Sequence, residues 1–247
     1  MNGYGRGFFR LPPVVKNIIM INVLMLLAYY AVKSVFGTDL NGILGLYFPK
    51  SESFKPVQIL THMFMHGGIW HLFFNMYALY IFGQVLENVW GPKRFLIYYM
   101  VCGLGAALVY ESVIAFEYNK LMHIINPDQL QLVLDQGAAY LREGKVFTNS
   151  TMQSLQLLLN TPVVGASGAV FGILLAFGVL FPNTQLMLLI PPIPIKAKYF
   201  VLGYGAIELY LAFTQPGSNI AHTAHLGGML FGYILIRYWR RTTNTLY

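Results

Sequence analysis

From residue 17 to residue 239 the chain is cut by short polar breaks into six apolar stretches, and that pattern restricts the fold more than any motif does. Backbone entering hydrocarbon has no water to satisfy its N–H and C=O groups, so an apolar stretch of spanning length must bond internally, as a helix does. The first stretch, Asn17 to Val35, is long enough to cross a bilayer and ends in Tyr29-Tyr30 and Lys33 rather than in a cleavage site, so it reads as an uncleaved helix. The others predict helices at about His62–Leu86, Phe95–Phe116, Ser167 to just before Pro182, Ala197–Phe213 and Ala221–Trp239. Composition agrees, with 56% hydrophobic and 10% charged residues and a mean hydropathy of +0.56. The expected fold is an all-α polytopic membrane protein, a bundle of six transmembrane helices.

Charge sets the orientation. The net charge of +7 comes from cations at helix ends, not from a basic patch interleaved with aromatics, which argues against nucleic acid as a partner. Arg6, Arg10, Lys16, Lys93, Arg94, Lys196, Lys198, Arg237, Arg240 and Arg241 fall on one set of flanks, ten of the 16 Lys and Arg. Basic residues near helix ends stay in the cytoplasm, which places both termini there. The division along the chain is a basic segment 1–16, a membrane region 17–239 and a tail 240–247, and the expected location is the plasma membrane of a bacterium because no transit-like presequence is seen. Lone Cys102 excludes an intramolecular disulfide and reads as packing. Residues 117–164 form an extracytoplasmic insertion with amphipathic helices expected at about Asp128–Glu143 and Ser150–Asn160, lying on the outer leaflet or on the bundle.

The fourth apolar stretch is too short to span. Fifteen residues from Ser167 to Phe181 make about 22 Å of helix against a hydrocarbon core of roughly 30 Å. Its first residue therefore lies below the outer surface, where irregular backbone is tolerable only beside a water-filled cavity. That residue is a serine, in Gly165-Ala166-Ser167-Gly168, at a helix N-terminus whose free N–H groups can stabilise negative charge. On the sixth stretch His225, Gly228 and Gly232 share one face, and Gly168 and Gly172 give the fourth a matching small-residue stripe. Such helices can approach closely enough to set imidazole against hydroxyl. His71 and Asn75, at i and i+4 on the second helix, offer side-chain donors suited to an oxyanion hole.

Together His62-x-x-x-His66-x-x-x-x-His71-x-x-x-Asn75, Gly83-x-x-x-Glu87-x-x-x-Gly91, Gly165-x-Ser167-Gly168 and Ala224-His225-x-x-Gly228-x-x-x-Gly232 resemble the rhomboid intramembrane serine proteases across all six helices. The resemblance implies a Ser167–His225 dyad without a catalytic aspartate, cutting peptide bonds in or beside transmembrane segments of protein substrates. Ser167 would be the nucleophile and His225 the general base and acid. The oxyanion would be held by His71, Asn75 and the Ser167 N–H, and Phe171 would lie against the imidazole. Gly165, Gly168, Gly228 and His66 are supporting positions, and the resemblance calls for no cofactor. It also implies that the fifth helix and the loop Thr214–Asn219 gate entry from lipid. Many relatives carry Trp-Arg in the loop before the second helix; this chain has Val57-Gln58.

Other readings weigh less. His62 and His66 read as hydrogen-bonding residues of the outer loop, and Glu87 as an acceptor for backbone of the cytoplasmic loop. His222, three residues before His225, would suit a metal site, but no carboxylate stands at ligand spacing on the fourth or sixth stretch, so no metal is expected. A metal-dependent membrane oxidase would need more clustered histidines. A rhomboid-like protein that binds clients without cutting them remains the alternative, although such proteins typically lack the serine or the histidine.

Overall fold

A computed structural model describes residues 11–187, 192–214 and 222–242. Helix α1 is Pro13–Phe36, opened by a proline where no N–H is needed and closed by Gly37 in the left-handed region at φ 67°. It starts a turn earlier than the apolar pattern suggests, because the carboxylate of Glu87 accepts the N–H groups of Val14 (2.9 Å) and Val15 (2.7 Å). Glu87 is therefore an acceptor for backbone, but of the first turn of α1 and not of a loop.

The connection after α1 holds two short helices, α2 (Leu40–Leu44) and α3 (Gln58–Thr61). Gln58, fully buried, organises it: its oxygen accepts from Lys55 N at 3.0 Å, and its amide donates to the carbonyls of Ile43 and Ser53, each at 3.0 Å. Where the family often has an aromatic–cation pair, this chain has a residue that folds the loop on itself.

The helix expected from His62 begins only at Ile69. His62–Phe64 makes a single 3₁₀ turn, and the chain then leaves the helical conformation at Met65 and bends at Gly67-Gly68 before α4 (Ile69–Ala78). His62, His66 and His71 thus do not share one helix. A π-helical turn, Leu79–Gly83, leads from α4 into α5 (Gln84–Ile124). α5 is bent at Gly91 (φ 77°) ahead of Pro92, at the break foreseen between the second and third helices. Its second limb runs eight residues past Phe116.

That extension carries the insertion. α6 (Pro127–Arg142) and α7 (Ser150–Asn160) are opened by Asn126 and Asn149, whose side chains accept N–H groups of their first turns. Val133, Met152, Leu155 and Leu159 pack with Leu121 of α5 and Phe48 of the first connection into a small second core, so the insertion rests on the bundle.

α8 (Ser167–Leu180) is the central helix, with eleven of its 14 residues buried between α5 and α10 (His222–Thr242). A short antiparallel pair, β1 (Gln185–Met187) and β2 (Pro194–Lys196), joins α8 to α9 (Ala197–Thr214). Among the described residues Pro13–Phe36 and Ile69–Ile124 are long and apolar enough to cross a membrane, the second in two limbs. The Thr214–Asn219 loop expected to act as a gate lies outside the described residues beyond Thr214, as does Ala221, the expected start of the sixth helix.

Candidate active site

The serine is held by backbone before any side chain acts. Leu46 and Val163 exchange hydrogen bonds (2.9 and 2.8 Å), and Gly165 N–H donates to the His62 carbonyl at 2.9 Å. The chain can then turn into α8 only through Gly165 at φ 136°, a conformation that a side chain would strain. His62 acts here through its carbonyl, while its Nδ1 lies 2.9 Å from the Gln58 carbonyl.

Ser167 is the first residue of α8, half-buried, with the unbonded N–H groups of the first turn around it. Its Oγ stands 2.9 Å from His225 Nε2. Close approach of α8 and α10 makes this possible: a Cβ on Gly228 would run into the Gly168 carbonyl. Phe171, one turn below the serine, stacks on the His225 ring at 4.1 Å and 5° between planes, and Tyr204 of α9 stacks on Phe171 in turn at 5.3 Å. The imidazole is thus fixed in plane.

His71 faces the same point. Its ring lies against Gly165, and its Nδ1 accepts the Gly67 N–H at 3.3 Å. An accepting Nδ1 assigns the ring proton to Nε2, the nitrogen beside Gly165. Asn75 is buried, and one of its amide hydrogens is committed to the His71 carbonyl at 3.0 Å on its own helix. His66 sits in the loop ahead of α4, edge-on to the His71 ring at 5.0 Å, with its carbonyl accepting from Asn41 at 3.0 Å. Burial, and then the neighbouring His71, lower the His66 pKa to about 3, so the residue packs as a neutral ring. A cavity of about 20 Å³ beside Ser167, lined by His62, Tyr110, Gly165 and Ala224, has room for one water.

One residue of the cluster has no place in the sequence reading. Glu208 of α9, 7% exposed, puts Oε2 2.9 Å from His225 Nδ1 and 2.7 Å from His222 Nδ1. The carboxylate that was sought on the fourth and sixth stretches comes from the fifth. The signal was available: an acid inside an apolar spanning segment marks a functional position by default. Glu208, His222 and His225 together have the composition of a metal site. Tetrahedral zinc, with bonds of about 2.1 Å, would hold its ligand atoms roughly 3.4 Å apart. The observed separations of 2.7 and 2.9 Å to a single oxygen are instead those of charge-assisted hydrogen bonds.

The pattern of the Rhomboid domain matches residues 53–124 and 134–242, a span that includes Ser167, His225, His71, Asn75 and Glu208. This chain belongs to the rhomboid family. Among its relatives, Rhomboid protein 1, mitochondrial, of Saccharomyces cerevisiae is 28% identical over 180 residues, covering 73% of this chain and 41% of the yeast protein. RHOMBOID-like protein 12, mitochondrial, of Arabidopsis thaliana is 30% identical over 172 residues, 69% of this chain and 42% of that one. Rhomboid protease AarA of Providencia stuartii is 27% identical over 195 residues, 74% and 57% respectively. The chain therefore spans about half the length of these relatives. Rhomboid proteins are embedded in membranes, and the all-α bundle with its short central helix is the rhomboid-like fold expected from the sequence.

Proposed function

We propose that this rhomboid protein is an intramembrane serine endopeptidase that cuts membrane proteins in or beside their transmembrane segments. The observation that carries the reading is the 2.9 Å contact between Ser167 Oγ and His225 Nε2, at the N-terminus of a helix too short to span. The name of the Providencia relative, a rhomboid protease, supports it.

In the proposed reaction Ser167 Oγ attacks the carbonyl carbon of the scissile bond while its proton passes to His225 Nε2. The oxyanion is stabilised by the N–H groups opening α8 and by His71 Nε2–H, with the second amide hydrogen of Asn75 as a further donor. Collapse breaks the C–N bond as Nε2 returns its proton to the leaving amine, which leaves an ester on Ser167. A water then attacks the ester carbon, His225 takes its proton and gives it to Oγ, and the new carboxyl terminus departs. The small cavity beside Ser167 is sized for that water.

We assign α1, the two limbs formed by α4 and α5, α9 and α10 to membrane spans, with α8 held inside the bilayer and both termini on the cytoplasmic side, which puts the serine in the outer half of the bilayer. A bacterial plasma membrane remains the proposed location; two of the three relatives described carry mitochondrial names. The test is purified protein in proteoliposomes with a single-span substrate containing small and helix-breaking residues near the outer face. Wild type should cut it, and Ser167→Ala and His225→Ala should not. A folded wild type that holds the substrate uncut would replace this reading with client binding.

A further inference from the structure

We infer that Glu208 is a positioning residue of the reaction, completing a Ser167–His225–Glu208 relay, and that α9 is thereby part of the catalytic apparatus; the inference rests on the proposed hydrolytic activity. A carboxylate only accepts hydrogen bonds, so Oε2 at 2.9 Å from His225 Nδ1 requires the ring proton to lie on Nδ1. That leaves the Nε2 lone pair directed at Ser167 Oγ, 2.9 Å away. Without the carboxylate, the neutral ring is free to carry its proton on Nε2, where it cannot accept one from the serine. When His225 becomes imidazolium during attack, Glu208 also offsets the new charge in a site where it is 7% and the imidazole 8% exposed.

Three further observations show that the acid is held for this contact. Oε2 accepts from His222 Nδ1 as well, at 2.7 Å, which fixes the carboxylate from the start of α10. α9 otherwise buries only Ala197 and Val201, both in its first two turns. The third is the stack His225–Phe171–Tyr204, which fixes the plane of the ring whose Nδ1 meets Glu208. Ion pairing of a buried acid needs only one partner, and a fold that wanted only to anchor α9 could use an apolar side chain there, as Val201 does against Gly178.

The experiment compares wild type, Glu208→Gln and Glu208→Asp on the proteoliposome substrate, with Ser167→Ala as the blank and thermal unfolding of each variant as the control for folding. Glu208→Gln keeps the shape but can present an N–H to Nδ1 and so enforce the wrong tautomer. The expected result is a kcat lower by about 10² to 10⁴-fold with KM changed less than about three-fold. Glu208→Asp, whose oxygen is withdrawn by one methylene, should recover part of that loss at unchanged KM. A folded Gln variant with kcat within about three-fold of wild type overturns the assignment and leaves the Ser167–His225 reading standing. Should the Gln variant not fold, Glu208→Asp decides alone: full kcat overturns the assignment, and a reduced kcat at unchanged KM and stability supports it. A wild type that cuts nothing removes the hydrolytic reading, and this inference with it.

Discussion

Glu87 and Glu208 are buried toward opposite ends of the bundle, and the two do different work because of what stands opposite them. At the end where α1 begins, Glu87, 2% exposed, accepts two backbone N–H groups, donors that cannot change their protonation or leave. At the serine end Glu208 accepts from two imidazoles, and one of them, His225, stands with its other nitrogen against a hydroxyl. Both acids interrupt apolar helices, and sequence alone gives them equal weight. A buried acid facing backbone caps the start of a helix; a buried acid facing a histidine that faces a serine sets a tautomer. The helices differ in the same sense. α8 is enclosed on nearly every side, whereas α9 exposes Tyr199, Leu202, Ile207, Tyr210 and Phe213 and reaches the site through Tyr204 and Glu208.

Among changes outside the reacting residues and Glu208, the largest effect should come from parting the two helices that hold the reacting atoms. Gly228→Val places a branched side chain against the Gly168 carbonyl, so α10 must move outward. Such overpacking costs about 1–3 kcal/mol or more, and a displacement near 1 Å at the dyad costs turnover on the order of 100-fold. Thermal unfolding in detergent and turnover measured on the same sample should both fall. A variant that retains full turnover would mean that the α8–α10 contact does not position the dyad.

Glu87→Ala should sharpen the contrast between the two acids. It leaves the N–H groups of Val14 and Val15 without their acceptor, a loss of about 1–3 kcal/mol seen as a lower unfolding temperature. Below that temperature kcat should stay within about two-fold of wild type, the opposite of the pattern expected at Glu208. A large kcat loss in a stable Glu87→Ala protein would remove the distinction.

The smallest effect should be on the outer face of α9. Tyr210, 65% exposed in the isolated chain, makes no part of the site, and Tyr210→Ala should shift stability by less than about 0.5 kcal/mol and leave kcat unchanged. Substrate cleavage that changed strongly on this substitution would give α9 a second role, through its lipid-facing surface.

Much of this was legible in the residues. Apolar length and punctuation placed the helices, and Asn149 opens α7 at the residue where the pattern put its start. The serine loop and the facing histidine were found because polar groups at such depth are costly, and because glycines at matching spacing allow two helices to meet. The start of α4 was missed because Gly67-Gly68 lies inside a histidine repeat of helical spacing; the bend at those two glycines prevailed over that periodicity. The early start of α1 depends on Glu87, 72 residues away, a partnership no local pattern encodes. Glu208 was missed for a related reason: its partners lie on the next helix, across a segment of chain whose length says nothing about which faces meet. The cost of an unpaired acid in an apolar run was the clue that could have led to it.

The most direct measurement is labelling of the detergent-solubilised protein with a fluorescent fluorophosphonate, which reports an activated serine without requiring the natural substrate. The account predicts one adduct, mapped to Ser167 and lost in both Ser167→Ala and His225→Ala. An adduct on another residue, or labelling that survives His225→Ala at the wild-type rate, would contradict it.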